Sequence, residues 1–143
     1  MVQIWSISGY KEAVLQTPAT DVFSNVSPNR YLPFYEDDHT DLKSVANFLD
    51  YSNDDVAKIA GVSEQSVRFK GRVPQAVKDR LLEIANICEL VANNFKGDVE
   101  KTALWFRMEN PMLGNISPKD MIRFGRYKKL RKFILDSIDG NLP

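Results

Sequence analysis

Apolar residues recur at helical spacing from Asp41 onward, and this pattern predicts a series of helices. A first helix is predicted by apolar residues at positions i, i+3, i+4 and i+7, which are Leu42, Val45, Ala46 and Leu49. A second short helix is expected over 53–60, with Ser52 or Asn53 as its cap and Gly61 as its end. A third is expected to open at Ser63 and to end by Gly71.

The longest predicted helix begins at Pro74 and ends at Gly97. Its apolar stripe comprises Val77, Leu81, Ile84, Ala85, Cys88, Val91, Ala92 and Phe95. Another helix is predicted from an Asp98 cap to about Met108, before Pro111. Ser117 followed by Pro118 starts the last part, two helices separated near Gly125 that run to Ile138.

Residues 1–40 lack this periodicity. They carry scattered prolines, an acidic Glu36-Asp37-Asp38 cluster, and brief alternation at Val2, Ile4 and Ile7. We interpret them as an N-terminal arm. The predicted fold is therefore all-α, with a helix-turn-helix bundle and its long linking helix over 41–97 and a small helical domain over 98–143.

Composition narrows the class of protein. Nineteen basic and nineteen acidic residues in a chain of 143 give a formal net charge of zero, so nucleic-acid binding would have to come from local clusters. The single cysteine, Cys88, excludes an internal disulfide and is expected in the core. We see no apolar run that could span a bilayer and no secretion signal, so a cytoplasmic location is expected.

The segment around 53–69 satisfies the constraints of a helix-turn-helix. Such a motif needs a small residue where its helices cross, a turn residue and a buried branched residue, which Ala57, Gly61 and Val67 supply. The predicted DNA contacts are Ser63, Glu64, Gln65, Ser66, Arg68, Lys70 and Arg72. Equally, the pair of helices could be a packing module only.

The C-terminal part resembles a known family. The residues that carry this resemblance are Ala103 and Trp105, the loop residues Asn110, Pro111, Leu113 and Gly114, then Pro118, Gly125 and Gly140. With them, this part of the chain is similar to the toxin-binding domain of the Xre, MbcA and ParS antitoxins. The segment 72–95 is similar to the linking helix of MbcA-like antitoxins. The resemblance covers roughly two-thirds of the chain, and residues 1–40 have no counterpart in it.

This resemblance implies an antitoxin of a type II toxin–antitoxin system. Its usual partner is a RES-domain toxin that destroys NAD, and the antitoxin blocks access to the toxin's active site. Members of the family commonly form homodimers and repress their own operon by binding operator DNA. A shorter stretch between Val67 and Pro74 than in MbcA weakens the DNA-reading part of the comparison.

Predicted toxin contacts lie in three places. Trp105 is either an interface anchor or, as is more usual on an amphipathic helix, a core residue. The loop can either connect two helices or display its side chains to a partner. A basic run near the C-terminus can be a solvated helix face or can steer an acidic surface; it comprises Arg123, Arg126, Lys128, Lys129, Arg131 and Lys132. The predicted residues are Trp105, Asn110, Pro111, Met112, Leu113, Gly114, Arg123, Arg126 and Lys129.

No enzyme machinery is evident in the sequence. His39 is the only histidine, and neither a phosphate-binding glycine loop nor a nucleophile motif accompanies it, so we expect no catalytic residue, metal or cofactor. The sequence favours an antitoxin that binds a RES-type toxin. The alternative is a stand-alone helix-turn-helix transcription regulator.

Overall fold

The computed structural model describes Trp5 and residues 30–140. This part of the chain contains a two-stranded hairpin and six α-helices. The bounds of the strands and helices are β1 Tyr35–Glu36, β2 His39–Thr40, α1 Leu42–Phe48, α2 Asn53–Ala60, α3 Gln75–Asn94, α4 Val99–Arg107, α5 Pro118–Arg123 and α6 Tyr127–Ile138. The hairpin pairs β1 with β2, and short 3₁₀ turns lie after α2 and after α4.

The helix starts follow from local capping. The Asp41 carboxylate accepts a hydrogen bond from the Lys43 amide, at 3.1 Å, and so satisfies one of the free donors of α1. Ser52 and Asp55 form a reciprocal capping box at α2. Gly61, with φ 73°, ends that helix. The predicted bounds of α2 are confirmed.

Helix α3 is the central element. It follows Pro74, as predicted, and contacts α1, α2, α4 and α6. Ten of its twenty residues are buried, far more than the narrow stripe of a surface helix requires. They are Val77, Leu81, Ile84, Ala85, Ile87, Cys88, Glu89, Leu90, Val91 and Ala92.

The three C-terminal helices also begin where the sequence predicts. Asp98 caps α4 and Ser117 caps α5, each through its side chain. Gly125, with φ 82°, separates α5 from α6 by adopting a left-handed conformation that residues with a Cβ rarely adopt. The helices of this part are confirmed, and so is the all-α class.

The predicted helix from Ser63 is wrong. Only Glu64–Ser66 is helical, as a single 3₁₀ turn, and Val67 is already extended. The Ser63 side chain makes no cap bond and instead lies 2.7 Å from the Ser66 hydroxyl. Three residues of 3₁₀ helix close too few hydrogen bonds to extend further, and the chain between them and Pro74 forms bends.

The core includes residues that precede Asp41, and the interpretation of residues 1–40 as an arm stays a prediction. Leu32 and Phe34 are buried, the latter completely, and Phe34 packs edge-on against Phe48 of α1 at 5.3 Å between ring centroids. Trp5 is buried as well. The hairpin follows directly, with Tyr35 opposite Thr40. The alternation expected at Val2, Ile4 and Ile7 lies outside the described residues.

A buried carboxylate fastens this N-terminal segment to α3. Glu89 is 2% exposed and accepts hydrogen bonds from the Tyr31 amide at 2.8 Å, the Leu32 amide at 3.2 Å and the Tyr35 hydroxyl at 2.7 Å. The Tyr31 ring rests on Gly97, where a Cβ atom would lie 2.6 Å from ring carbon Cδ1. Charge-assisted bonds to a buried acceptor are among the stronger ones in proteins, so this contact holds the segment in place.

The buried residues on both sides of residue 98 belong to one hydrophobic cluster. The helices after Gly97 therefore share a core with those before it, and the predicted division at 97/98 stays a prediction. No helix among the described residues combines the length and apolarity that crossing a bilayer requires. Cys88 is fully buried within α3, and burial raises the pKa of its thiol.

Replacing Glu89 by Gln is expected to loosen the N-terminal segment. An amide retains one acceptor oxygen but brings a donor group towards donors, so we expect a loss of about 1–3 kcal/mol in the free energy of unfolding. Urea unfolding measures that loss, and hydrogen exchange at the Tyr31 and Leu32 amides locates it. Exposed Glu109, which lies outside the helices, provides the control, since Glu109→Gln should change neither. Unchanged exchange in Glu89→Gln would contradict the role of the carboxylate.

Tyr51 is expected to lower the stability of the fold at alkaline pH. Its hydroxyl donates to the Lys119 carbonyl at 2.7 Å, and burial first, then nearby anionic groups, raise the pKa of the phenol far above 10. Because the folded pKa exceeds the unfolded one, this contribution is complete below pH 10 and is lost progressively above it. We expect a Tyr51→Phe variant to lose stability less steeply above pH 10 than wild type, as urea unfolding at successive pH values would measure. Parallel slopes would contradict this.

Candidate protein-interaction surface

The loop between α4 and α5 is built on Asn110. Its side chain accepts a hydrogen bond from the Met112 amide at 2.9 Å, and its backbone pairs with Ile116 across the loop. A 3₁₀ turn, Pro111–Leu113, lies between them and ends at Gly114 with φ 77°. Glycine adopts this left-handed conformation readily, so the loop has a defined shape.

The loop residues predicted to contact a toxin differ in exposure. Asn110 is buried and shapes the loop from within, whereas Pro111 and Gly114 are exposed. Met112 is 40% exposed and Leu113 is half-buried against the core. Within this loop, Met112 is therefore the apolar side chain that is most available to a partner.

Trp105 is a core residue, and its predicted contact with a toxin stays a prediction. The side chain is 3% exposed and lies between two other aromatic rings. The ring centroids are 4.9 Å from Trp5 and 5.1 Å from Phe106. The contribution of this side chain to the structure described here is packing.

Predicted residues Arg123, Arg126 and Lys129 lie around the turn between α5 and α6, but they differ in environment. Arg123 is half-buried, and its guanidinium lies 3.1 Å from the Asp120 carboxylate and 3.9 Å from that of Asp55. The contact with Asp55 links α5 to α2. Arg126 and Lys129 are exposed. Arg123 therefore stabilises the packing of the helices, whereas Arg126 and Lys129 are accessible to a partner.

Phe124 is an exposed aromatic residue that sequence analysis did not identify. It is 60% exposed at the end of α5, with the Arg123 guanidinium 5.3 Å from its ring centroid. Its spacing of three from buried Met121 is that of a core residue, so periodicity gives no signal for its exposure. The helix ends at Arg123, and the chain turns at Gly125 before the spacing can apply.

Two neighbouring clefts lie where α6 packs on α3. The first, about 500 Å³, is lined by Ile59, Arg80, Glu83, Ile84, Ile122, Gly125, Arg126, Tyr127, Lys128 and Lys129. The second, about 630 Å³, is lined by Leu82, Glu83, Asn86, Tyr127, Lys128 and Arg131. They share three residues and together form one surface depression, which we call the α3–α6 groove.

Tyr127 lies at the middle of the α3–α6 groove. Its hydroxyl donates to the Glu83 carbonyl at 3.1 Å, which fixes the ring against α3. Burial, and secondly the negative charge of Glu83, raise the pKa of Tyr127 to about 12. The phenol is consequently a neutral donor at physiological pH. Sequence analysis assigned no role to Tyr127 or to Arg80 opposite it.

The residues predicted to contact DNA lie on the 3₁₀ turn and the bends after it. Ser63, Glu64, Gln65 and Ser66 are exposed but do not sit on an α-helix that could enter a major groove. The Arg68 guanidinium donates to the carbonyls of Gln65, at 2.9 Å, and Val67, at 3.2 Å. Lys70 and Arg72 are exposed. The side chains are accessible, but the element expected to carry them is absent from the described chain.

His39 lies on the hairpin, where its Nε2 atom is 3.8 Å from the Glu36 carboxylate, and both side chains are largely exposed. Across Trp5 and residues 30–140, no three His, Cys, Asp or Glu side chains are grouped closely enough to hold a metal ion. The titratable groups of the α3–α6 groove are basic apart from Glu83 and Tyr127. The groove is thus suited to binding an anionic partner.

No protein-family model matches the chain, and comparison with curated proteins gives no match. Among solved structures, the chain is similar to a chain in the crystal structure of the M. tuberculosis MbcT–MbcA toxin–antitoxin complex. The identity is 21% and the TM-score 0.41, over 71% of this chain and 93% of that one.

Asn110→Ala is expected to destabilise the loop. The change removes the acceptor for the Met112 amide, and loss of such a cap costs about 1 kcal/mol in the free energy of unfolding. Urea unfolding provides the measurement. Asn47→Ala, at an exposed position of α1, serves as a matched control that should change the free energy by less than about 0.5 kcal/mol. Equal effects at the two positions would contradict a shaping role for Asn110.

Proposed function

We propose that this chain is the antitoxin of a type II toxin–antitoxin pair and that it binds and neutralises a RES-type toxin. The observation that carries the proposal is an exposed apolar and basic surface on the C-terminal helices. Phe124 is its most exposed large apolar side chain, with Arg126 and Lys129 close to it along the chain. This surface lies within the segment whose residues resemble the toxin-binding domain of Xre, MbcA and ParS antitoxins.

The composition of this surface supports protein binding. Large exposed aromatic side chains are uncommon on a monomer's surface and are enriched at the centres of interfaces, together with Arg. Phe124 has an arginine stacked on it, an arrangement that presents a flat apolar face with a charged edge. A binding role needs only such a surface. Catalysis would need a nucleophile and a base in contact, and His39 is distant in sequence from this segment.

The proposal does not extend to operator DNA. Residues 63–72 form a 3₁₀ turn and bends, whereas major-groove reading of the expected kind uses an α-helix. The homodimer that the resemblance implies stays a prediction. Both properties are separable from toxin neutralisation, which depends on the C-terminal surface.

The proposal is tested by co-expressing the chain with a RES-type toxin encoded beside it and by measuring growth and complex formation. We expect the wild-type chain to restore growth and to co-purify with the toxin. Phe124→Ser should weaken binding at least about tenfold, as a central aromatic contact does. Val99→Ser changes another exposed apolar residue, at the start of α4, and should have no effect.

Two outcomes would count against the proposal. A wild-type chain that neither restores growth nor binds the toxin would remove the function itself. Binding that Phe124→Ser leaves unchanged, while Val99→Ser weakens it, would place the interface elsewhere. Circular dichroism of both variants checks that the helices remain folded.

A further inference from the structure

We propose that the α3–α6 groove binds an acidic segment of the partner protein, with one bulky apolar side chain of that segment seated between α2, α3 and α5. The inference rests on the proposed function and specifies the chemistry of the toxin segment that this chain would recognise. Phe124 lies outside the residues that line the groove, whereas Arg126 and Lys129 belong both to the groove and to the surface around Phe124.

The floor of the groove is apolar. Ile59 of α2, Ile84 of α3 and Ile122 of α5 line its first cleft. Gly125 forms part of the opening, and a Cβ there would meet no atom within 4 Å. The first cleft has a volume of about 500 Å³, and ligand sites in proteins range over roughly 300–1,000 Å³. The cleft is therefore large enough to hold an apolar side chain together with part of the segment that carries it.

The rim of the groove is basic. Cationic side chains come from α3 and from the first part of α6, and they are Arg80, Arg126, Lys128, Lys129 and Arg131. Among the described residues that line the two clefts, Glu83 is the only acid, and the Arg80 Nε atom lies 2.8 Å from its carboxylate. Five cations against one paired acid in a chain of zero formal charge concentrate positive potential here.

An apolar floor inside a basic rim fits a segment that carries both apolar and acidic side chains. Opposite charges would accelerate association and set the orientation, while the apolar side chain would supply the buried contact. A nucleic-acid backbone would use the cations but leave the isoleucine floor unfilled. The groove therefore favours a protein segment.

The groove is tested first with a labelled heptapeptide in which six glutamates surround a central phenylalanine. Fluorescence anisotropy at low salt should show binding to the full chain. Replacing the phenylalanine by serine should weaken it about tenfold, and 0.5 M salt should weaken it further, because exposed charges are then screened. No binding, or equal binding of the serine peptide, would overturn the proposal.

Charge reversal on the rim tests the partner itself. The double variant Lys128→Glu with Arg131→Glu leaves the residues named with Phe124 unchanged and should lose at least tenfold in affinity for both the peptide and the RES-type toxin. Lys96→Glu reverses one exposed charge beyond the far end of α3, outside the groove, and should leave both affinities unchanged. The toxin should also displace the peptide from the wild-type chain.

The outcomes separate this inference from the proposed function. Toxin binding that depends on Phe124 but survives the rim reversal would overturn the groove and leave the antitoxin role standing. Peptide binding without any toxin binding would overturn the antitoxin role and leave the groove as a site for acidic and apolar segments. Two further results would assign the groove to another occupant and overturn this inference. One is that a random DNA duplex displaces the peptide as effectively as the toxin does. The other is that this chain forms a dimer which the rim reversal dissociates.

Discussion

The burial of α3 on almost all sides is the constraint on which the rest of the fold depends. A helix whose buried residues exceed one face must be covered by several elements, and α1, α2, α4 and α6 provide that cover. Covering helices that are short and well capped can each lie at their own angle to it. The arrangement produces one hydrophobic core in a chain without disulfides.

One position on α3 departs from this apolar pattern, and it attaches the N-terminal segment. Glu89 stands among buried apolar residues, where an unpartnered carboxylate would be costly. Two backbone amides and one tyrosine hydroxyl satisfy it, all from residues 31–35. Phe34 and Leu32 then complete the core beside α3. The polar contact fixes where the segment lies, and the apolar residues supply most of the burial.

The same packing creates the surface we connect with function. Because α5 ends at Arg123 and Gly125 reverses the chain direction, Phe124 is left exposed and the first turns of α6 lie along α3. Cations from two helices distant in sequence, such as Arg80 and Lys129, thereby line one groove. Neither helix carries the groove alone, so the site exists only in the folded chain.

The sequence by itself determined the helices from residue 41 onward, with the exception of the element after Ser63. Capping residues, prolines and glycines act on backbone within a few residues of themselves. The starts of α2 and α5 and the shape of the loop at Asn110 could therefore be predicted from the sequence. The sequence also contained a signal for Glu89, the single charged residue in the largely apolar segment 84–92, although its partners could not be identified from spacing.

The tertiary structure decided what depends on contacts between distant residues. Burial of Trp105 depends on Trp5 and Phe106 lying against it, and exposure of Phe124 depends on where α5 ends. The stretch from Ser63 became a 3₁₀ turn although a cap residue and helical spacing favoured a helix, since local propensity is weak against the path the chain must follow to reach α3. Periodicity reports which residues share a helix face, but only packing determines whether another element covers that face.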